Sequence, residues 1–536
     1  MDLTQEVQAW IADDPDPKTA AQLQQWLDSN NEVELRASFN GFLQFGTAGL
    51  RGPIRPGPSG MNRAVVGRTA AGLVAYMKER NLTSVVIGRD ARYGSEDFTF
   101  ETAEIMSGAG MKVYVLPRPL PTPVLAFATN ELKCDVGIMV TASHNPPQDN
   151  GYKVYLGGTV DGIHYRGSQI ISPTDESIAK KIDSITSLAS QPRGKEWIVL
   201  GEEVVHKYVG ITAALAQRPG NLKIVYTAMH GVGTQTLQQV FHKAGFSQPI
   251  LVDAQAQPDP DFPTVAFPNP EEPGAIDLAL ETARTFDADL VIANDPDADR
   301  CAAAVKDPIQ GWRMLRGDEL GVILGETIAR ATSKGILANS IVSSSILSKI
   351  AAHYKLEFKE TLTGFKWLAK IDGLTFGYEE ALGYAVDAIT VNDKDGISAA
   401  IKLAQIATDL AAENKTLLDL LDEVWARHGF HATEQISIRL TDLSQVGVIM
   451  GSLRSNSPKE IAGRSVTSID DLANPSDGLP PTDGLRIWLD GGIRIIIRPS
   501  GTEAKMKCYI EAIAKDSATA QTVLDQLRAP LKELLS

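Results

Sequence analysis

Short apolar runs alternate with amphipathic helical stretches along most of the chain. Each run is rich in β-branched residues and ends in a polar or glycine-containing turn. The clearest runs are SVVIGRDAR (84–92), VGIMVTASHN (136–145), KIVYTAMHG (223–231), DLVIANDPDADR (289–300), NSIVSSSIL (339–347) and TFGYEEALGY (375–384). This alternation predicts strand–helix units with parallel or mixed sheets, and therefore an α/β fold.

The first 40 residues show a different pattern, with Trp10, Leu23 and Trp26 at helical intervals among Gln, Asp, Glu and Ala. That pattern predicts a helical extension. Changes in linker composition divide the rest of the chain into four domains. The predicted segments are the extension (1–40) and domains over 41–200, 201–310, 311–430 and 431–536.

Composition and charge exclude several classes of function. The 536 residues are 43% hydrophobic and 22% charged, as in globular proteins with packed cores. The chain carries 51 Lys and Arg against 66 Asp and Glu, a net charge of -15, which argues against nucleic acid and anionic membranes as partners. Any anionic ligand must therefore be held by a local site.

Targeting signals and cysteines give a default location. The N-terminus MDLTQEVQAW has no signal-peptide pattern, and no apolar run approaches the ~18 residues of a membrane span. Cys134, Cys301 and Cys508 are too scattered for a disulfide framework, so we expect them to be buried in a reducing compartment. We therefore expect a cytoplasmic protein.

Three aspartates follow the apolar run LVIA at a spacing of two: Asp295, Asp297 and Asp299. In a turn, this spacing brings three carboxylates around one small cation, and Mg²⁺ prefers such ligands. A calcium EF-hand begins similarly but needs Gly at its sixth position and Glu at its twelfth, where this chain has Arg300 and Lys306. We therefore expect a magnesium site with positions open to a phosphate oxygen.

The run VGIMV ends in Thr141, Ala142, Ser143, His144 and Asn145, followed by two prolines. A serine beside a histidine can be a nucleophile, but this turn is no GxSxG elbow and no hydrolase triad is evident. Taken alone, Ser143 is better interpreted as a residue that caps a turn. The metal loop makes a role in phosphate chemistry the better interpretation.

The segment RPSGTEAK (498–505) offers the guanidinium of Arg498, the hydroxyls of Ser500 and Thr502 and the backbone of Gly501. These groups suit a phosphate cradle, although Pro-Ser-Gly-Thr is also an ordinary turn. The chain has no Walker A sequence, so the cradle is not that of an NTPase.

Two adjacent carboxylates, Glu379 and Glu380, lie at a strand end and can accept hydrogen bonds from sugar hydroxyls. An exposed acidic turn is the alternative interpretation. Downstream, Lys394 in NDKDG is a candidate proton donor or anion contact, or simply an exposed lysine.

Together these loops resemble those of the α-D-phosphohexomutase superfamily, which includes phosphoglucomutases, phosphomannomutases and phosphopentomutases. TASHNP resembles its phosphoserine loop, DPDADR its magnesium loop, YEEALG its sugar-specificity loop and RPSGTE its phosphate-binding loop, all in the family's order. FGTAGLRG (45–52) resembles its N-terminal loop. The resemblance extends from about residue 45 to the C-terminus.

The resemblance implies a heart-shaped, four-domain architecture: three related α/β domains with mixed sheets and a smaller C-terminal α+β domain. It implies a mutase that moves a phosphoryl group between positions 1 and 6 of a hexose phosphate, glucose rather than mannose, through a phosphoserine. Mg²⁺ would be the cofactor, a sugar 1,6-bisphosphate the intermediate and activator, and small sugar phosphates the partners. Because water must be excluded while the bisphosphate turns over, we predict that the last domain hinges.

The resemblance also implies residue roles. The phosphoryl carrier would be Ser143, which would share Mg²⁺ with Asp295, Asp297 and Asp299. Contacts or proton carriers would be His144, Lys153 and Lys394. Substrate-binding residues would be Thr47, Arg51, Glu379, Glu380, Arg498, Ser500, Gly501 and Thr502.

One departure leaves the substrate open. Classical phosphoglucomutases have a serine after the two glutamates, where this chain has Ala381. YEEALGY more closely resembles the branch that contains phosphopentomutases and glucose 1,6-bisphosphate synthases. These activities, and a non-catalytic sugar-phosphate-binding scaffold, are therefore the alternatives. A phosphatase is disfavoured because no water-activating carboxylate is evident.

Overall fold

The computed structural model describes residues 2–442, 444–499 and 505–535. The chain divides into two compact units. The first unit contains residues 1–315, 369–372 and 383–409. The second contains residues 316–368, 373–382 and 410–536.

The N-terminal residues form helices α1 (Leu3–Asp13), α2 (Pro17–Asp28) and α3 (Glu32–Ser38). The side chains of Asp2 and Asp16 cap the first two helices by accepting backbone N–H groups that have no partner inside the helix. Apolar residues at helical spacing, including Trp10, Leu23 and Trp26, pack together into a small core.

A mixed sheet follows. Its region contains β1 (Leu50–Pro53), α4 (Arg63–Glu79), β2 (Ser84–Arg89), α5 (Ser95–Gly108), β3 (Lys112–Val115), α6 (Thr122–Glu131), β4 (Val136–Val140), β5 (Asp149–Leu156), β6 (Thr159–Val160), β7 (Ile163–His164), β8 (Ser168–Gln169), α7 (Thr174–Asp183) and β9 (Trp197–Val199). The strand order is β1-β5-β4-β2-β3-β9, with β8 on β5, while β6 pairs with β7. Strands β4, β2, β3 and β9 are parallel, and β5 runs antiparallel between β1 and β4. The central strand β4 is buried along its whole length, as expected of a sheet covered on both faces.

The second sheet also lies in the first unit. Its region contains α8 (Glu203–Ala213), β10 (Ile224–Thr227), α9 (Gly233–Lys243), β11 (Ile250–Leu251), a 3₁₀ turn (Asp253–Gln255), α10 (Asp277–Thr285), β12 (Leu290–Ala293), β13 (Ala302–Asp307) and β14 (Gly311–Met314). The order is β11-β10-β12-β13-β14. Strands β10, β11 and β12 are parallel, whereas β13 and β14 are antiparallel to their neighbours.

The next elements are shared between the units. They are α11 (Gly317–Ala331), β15 (Ile336–Ser340), α12 (Ile346–His353), β16 (Glu357–Thr361), α13 (Phe365–Leu368), β17 (Leu374–Glu379), β18 (Gly383–Ala385), α14 (Gly396–Ala412) and α15 (Leu417–His428). Within the second unit, β15 pairs in parallel with both β16 and β17. Strand β18 and most of α14 belong to the first unit.

The C-terminal region is an antiparallel sheet with helices. It contains β19 (Phe430–Arg439), α16 (Ser444–Ser455), β20 (Glu460–Ile461), β21 (Arg464–Asp471), β22 (Leu485–Leu489), β23 (Ile493–Pro499), β24 (Lys505–Ala514) and α17 (Ser517–Leu534). The order is β19-β24-β23-β22-β21-β20. Apolar residues of β22, β23 and β24 pack with Leu524, Leu527 and Leu531 of α17 to form its core.

These elements confirm the predicted fold class: α/β regions with mixed sheets and an α+β C-terminal region. One sequence run was misread. In NSIVSSSIL, strand β15 ends at Ser340 and the polar residues after it form a turn before α12. Ile341 and Val342 are buried without being part of a strand. No helix among the described residues is long and apolar enough to cross a membrane.

Candidate active site

Ser143 and the three aspartates lie together in the first unit. Ser143 follows β4 and Asp295 follows β12, so both occupy the carboxyl ends of parallel strands, where ligands bind in α/β sheets. The Ser143 hydroxyl donates a hydrogen bond to Asp295 Oδ2 at 2.9 Å. Ser143 has a left-handed backbone, with φ of 52°. Its N–H donates to Thr141 Oγ1 at 2.9 Å.

The aspartate loop is completely buried. The three residues Asp295, Asp297 and Asp299 are at most 1% exposed. One carboxylate oxygen from each lies within 4.8 Å of the other two. The first turn of α6 supports the loop, because Thr122 donates its hydroxyl to Asp297 Oδ2 at 2.5 Å and its N–H to the Asp297 carbonyl at 2.9 Å.

Two lysines balance this negative charge. Lys153 Nζ lies 2.6 Å from Asp297 Oδ2 and 2.9 Å from Asp299 Oδ2, and its side chain is 1% exposed. Lys394 Nζ lies 3.1 Å from Asp299 Oδ2, and its side chain is 12% exposed. A Cβ on Gly396 would lie 2.1 Å from the Arg300 carbonyl, so only glycine lets the Lys394 segment approach the loop this closely.

The electrostatics of the aspartates differ from one to the next. Burial and the charges of Asp297 and Asp299 raise the pKa of Asp295 to about 8. The pKa of Asp299 lies well below its usual range. Burial alone would raise it, but the positive charges of Lys153, Lys394 and Arg300 outweigh burial. The loop therefore concentrates negative charge that a cation can neutralise.

The His144 imidazole is neutral. Burial, with the nearby charges of Arg300 and Arg51, lowers its pKa well below the usual 6.5. Its Nδ1 lies 3.2 Å from Ser143 Oγ.

The carboxylate oxygens of the aspartate loop suit a hard divalent cation. Asp297 Oδ1 and Asp299 Oδ1 are buried oxygens without a hydrogen-bond donor among the described residues. Such oxygens are costly to leave without a partner. Three carboxylates converging on one point are the ligands that Mg²⁺ takes.

The N-terminal loop residues also belong to the first unit. Arg51 lies in β1, opposite Gly151 of β5, and its charge contributes to the lowered pKa of His144. Thr47 is partly buried in the turn before β1. The structure thus places the predicted residues of the serine, metal and N-terminal loops in one unit.

The predicted sugar and phosphate loops lie in the second unit. Glu379 Oε1 accepts the Gly364 N–H at 2.6 Å. Glu380 is turned into the protein, where its Oε2 accepts the hydroxyls of Ser340 at 3.0 Å and Ser343 at 2.9 Å.

The phosphate-binding loop is described only in part. Arg498 is half-buried in β23. Ser500, Gly501 and Thr502 lie outside the described residues.

Three contributors to the site were not found from the sequence. Arg300, whose N–H donates to Asp295 Oδ1 at 3.0 Å, closes the metal loop. Thr122 donates a hydrogen bond to Asp297, and Arg92 donates one to the loop that carries Ser143 (the serine loop, residues 141–150). Arg300 is the last letter of DPDADR and could have been noticed there. Thr122 and Arg92 reach the site only through the tertiary fold.

Comparison with family models matches most of the chain. The matches are Phosphoglucomutase/phosphomannomutase alpha/beta/alpha domain I (43–189), domain II (204–311), domain III (316–428) and the C-terminal domain (452–529).

Full-length relatives agree. The chain is 48% identical over 483 residues to a probable phosphomannomutase of Haemophilus influenzae, covering 89% of this chain and 98% of that protein. It is 33% identical over 595 residues to a phosphopentomutase of Mus musculus, covering 99% and 94%. The crystal structure of a phosphoglucomutase/phosphomannomutase family protein from Burkholderia thailandensis matches the fold with a TM-score of 0.71 at 20% identity, covering 91% and 97%.

Proposed function

The chain belongs to the phosphoglucomutase/phosphomannomutase family and is a phosphosugar mutase, and we propose that Ser143 is its phosphoryl carrier, acting between positions 1 and 6 of a hexose phosphate. One observation carries this proposal: Ser143 Oγ lies 2.9 Å from Asp295 Oδ2 at the rim of a buried aspartate triad. Phosphoryl transfer requires mainly positioning and charge stabilisation; this contact would position Ser143, and a cation held by the triad would stabilise the charge.

The aspartate loop is the proposed cofactor site. Asp295, Asp297 and Asp299 would hold Mg²⁺, together with an oxygen carried by Ser143. When bound, the cation stabilises negative charge on the phosphoryl oxygens. The carboxylate oxygens of Asp297 and Asp299 that lack hydrogen-bond donors support this assignment.

Proton exchange requires titratable groups close to the serine and the aspartates. We assign it to Lys394 and His144, because Lys394 is 12% exposed and His144 is a neutral imidazole beside Ser143 Oγ. Lys153 is held between Asp297 and Asp299 and is 1% exposed, which suits a fixed counter-charge. As the sugar oxygen bonds to phosphorus, the bond from phosphorus to Ser143 Oγ breaks; the sugar hydroxyl gives one proton to whichever of these groups is unprotonated, and Ser143 Oγ takes up one proton, so the protons balance.

The remaining predicted residues would bind substrate. Arg498 would grip the phosphate that is not being transferred, with Ser500, Gly501 and Thr502. Glu379 and Glu380 would receive sugar hydroxyls, and Thr47 and Arg51 are the substrate contacts proposed in the first unit. The sugar 1,6-bisphosphate formed by the first transfer would turn over and return its other phosphate to Ser143, and would therefore also act as the activator.

A pentose phosphate is the second candidate substrate. Ala381 removes the hydroxyl with which classical phosphoglucomutases contact the sugar, and a relative that aligns over 99% of this chain is named phosphopentomutase. The relative at 48% identity, named a probable phosphomannomutase, supports the hexose assignment. Synthesis of glucose 1,6-bisphosphate from an external donor is the third possibility within the family.

A cytoplasmic location stays a prediction from the sequence. Cys134, Cys301 and Cys508 are buried free thiols, which supports a reducing compartment.

Intact-mass spectrometry tests the carrier. Protein incubated with glucose 1,6-bisphosphate should gain one phosphate, and Ser143→Ala should not. Ser190→Ala, which removes an exposed hydroxyl of the same unit, is the matched control and should label like the wild type. Labelling of Ser143→Ala, or its absence from the wild type, would contradict the proposal.

Coupled assays then identify the sugar. The 1-phosphates of glucose, mannose and ribose should be compared by kcat/KM, with and without bisphosphate activator. We expect a hexose phosphate to give the largest value. A pentose phosphate with a tenfold larger value would reassign the substrate, and net bisphosphate production from an external donor would indicate a synthase.

A further inference from the structure

Arg92 lies in the turn after β2, directly beneath the serine loop (residues 141–150). Its side chain is 1% exposed, so its guanidinium depends on the protein for its hydrogen bonds. Burial of a guanidinium away from water is costly unless its donors find partners. The partners of Arg92 therefore show what the buried charge does.

Arg92 donates to four backbone carbonyls of the serine loop. Its Nη2 lies 2.7 Å from the carbonyl oxygen of Ser143 and 2.6 Å from that of Asn145. Its Nη1 lies 2.8 Å from the carbonyl oxygen of Pro146 and 3.1 Å from that of Asp149. One planar guanidinium thus binds the backbone at four positions between residues 143 and 149. The rigid geometry of the arginine group allows this arrangement.

The loop sequence explains why such a clamp is needed. Pro146 and Pro147 have no N–H, so this stretch has few backbone donors of its own. Ser143 is left-handed, with φ of 52°, a conformation that costs free energy for a residue with a Cβ. Within the loop, Thr141 Oγ1 accepts the Ser143 N–H, and from outside the loop Arg92 binds the carbonyl of Ser143 itself.

Arg92 also contacts residues outside the serine loop. Asp90 Oδ1 accepts the Arg92 N–H at 3.0 Å and the Ser95 hydroxyl at 2.6 Å. Asp90 Oδ2 lies 3.4 Å from Arg92 Nε. The Phe262 ring covers the guanidinium, with its centroid 4.8 Å from Arg92 Cζ.

We propose that Arg92 is a positioning residue that holds Ser143 in the conformation that directs its Oγ at Asp295. This inference rests on the proposed role of Ser143 as phosphoryl carrier. Carbonyl and N–H point in opposite directions across a trans peptide. Because the Ser143 carbonyl is drawn to Arg92, the N–H of His144 is turned away from Arg92.

Substitutions of Arg92 test the clamp. Arg92→Lys keeps the charge beside Asp90 but cannot bridge four carbonyls, and Arg92→Met removes the donors entirely. The matched control is Arg63→Met, which removes a guanidinium of the same unit that binds Glu101 rather than the loop. For each protein we would measure kcat, KM for the sugar phosphate, thermal midpoint and amide hydrogen exchange over residues 141–150.

The expected result separates positioning from folding. Misplacing a reacting atom by about 1 Å lowers rates by about 10²-fold, so Arg92→Lys should lose about that much in kcat while KM changes less than about threefold. Exchange over 141–150 should be faster in both Arg92 variants and unchanged in Arg63→Met. Phosphorylation by glucose 1,6-bisphosphate, followed by intact mass, should slow in parallel with kcat.

Two results would overturn the proposal: an Arg92→Lys protein with wild-type kcat, or one whose loss matches that of Arg63→Met after correction for folded fraction. If Arg92→Met is insoluble, Arg92→Lys decides alone, because it retains the buried charge. Absence of mutase activity or phosphorylation in the wild type would instead refute the role of Ser143. The hydrogen-exchange comparison would still show whether Arg92 holds the loop.

Discussion

Buried carboxylates occur in both units but in opposite surroundings. In the second unit, Glu511 Oε1 accepts the Ser344 hydroxyl at 2.7 Å, the Ser345 N–H at 2.8 Å and His431 Nδ1 at 2.9 Å. Its Oε2 lies 3.0 Å from the Arg494 guanidinium. These partners outweigh burial and lower the pKa of Glu511 to about 2.

Asp318, in the same unit, also has hydrogen-bond donors, although burial and the charge of Glu511 raise its pKa. It accepts hydrogen bonds from the Ser344 N–H at 2.7 Å, the Tyr378 hydroxyl at 2.9 Å and the Thr433 hydroxyl at 2.7 Å. Donors from β15, β17, β19 and their turns thus meet on two carboxylates. Hydrogen bonds and ion pairs of this kind join several elements of the second unit.

The carboxylates of the aspartate loop in the first unit have the opposite surroundings. Three carboxylates crowd within 4.8 Å of one another, and Asp297 and Asp299 each retain a buried oxygen without a donor. The pKa of Asp295 is raised to about 8 rather than lowered. Buried carboxylates that crowd against one another point to a functional site, whereas buried carboxylates with donors or a buried arginine around them join elements of the fold.

The largest expected effect comes from Asp295→Asn. Loss of one carboxylate from the proposed metal and phosphoserine site should lower kcat by about 10³-fold or more. Stability should be unchanged or higher, because the substitution removes like-charge repulsion within the loop. Steady-state kinetics and differential scanning calorimetry on the same sample check both halves.

Asp287→Asn, an exposed aspartate of the same unit, is the control and should change neither quantity. An Asp295→Asn protein that is strongly destabilised would show that the loop is structural and would remove the contrast between the units.

The second effect is on stability, from Glu511→Gln. Removing this charge leaves Arg494, which is 4% exposed, with a weaker set of partners. Breaking a buried pair costs about 3–5 kcal/mol, and the remaining contact of Arg494 with Glu360 at 3.2 Å favours the lower end. Calorimetry should show an earlier transition, while kcat per folded molecule changes less than about threefold.

Glu423→Gln is the matched control, since Glu423 forms a half-exposed pair with Lys415 at 2.9 Å. Such pairs contribute about 0–1 kcal/mol. Equal destabilisation by the two substitutions would mean that the buried network is worth no more than a surface pair.

The same contrast explains what the sequence revealed. The aspartate loop could be predicted because its aspartates lie two positions apart directly after one apolar strand. The network could not, because Asp318, Tyr378 and Glu511 are brought together from distant segments. For the same reason Lys153 was assigned only by resemblance: the antiparallel pairing of β5 with β4 sets it opposite Met139, close to the serine loop.

The strands that were predicted, such as β2, β4, β10, β12 and β17, lie in β-branched runs, which are local signals. The error at NSIVSSSIL has a physical cause: Ile341 and Val342 are buried by tertiary packing in a turn, so their apolar character reports burial rather than a strand. The role of Arg92 could not be predicted from the sequence. Its partners are backbone carbonyls, which every residue has, so no pattern of side chains indicates them.

The third prediction concerns the two lysines that contact the aspartate loop. Lys394→Met should lower kcat by about 10²-fold, as expected for loss of a group that exchanges protons, and should leave the thermal midpoint nearly unchanged. Lys153→Met should lower both, because Lys153 is 1% exposed and holds Asp297 and Asp299 together. Kinetics and calorimetry on the pair separate the proton carrier from the counter-charge. If only Lys153→Met altered the pH profile of kcat, the two roles would be exchanged.

The smallest expected effect concerns Glu380, where the second unit departs from its own pattern. Burial, with the charges of Glu379 and Asp318, raises the pKa of Glu380 to about 7. The folded state therefore binds this proton more tightly than the unfolded state, whose value is near 4.5. The resulting stability is fully present below about pH 4.5 and is lost as the pH rises toward about 7. Because Glu380 is half-buried, we expect a loss of about 1–2 kcal/mol over that range.

Glu380→Gln fixes the neutral form and should remove this component. Its free energy of unfolding, measured by urea titration between pH 5 and 8, should fall less steeply with pH than that of the wild type. At pH 8 the variant should be at least as stable, because the amide oxygen can still accept the hydroxyls of Ser340 and Ser343. Glu357→Gln, an exposed carboxylate of β16, serves as the control and should leave the slope unchanged. A wild-type slope that survives in Glu380→Gln would place the titration elsewhere and would return Glu380 to the class of fully paired carboxylates.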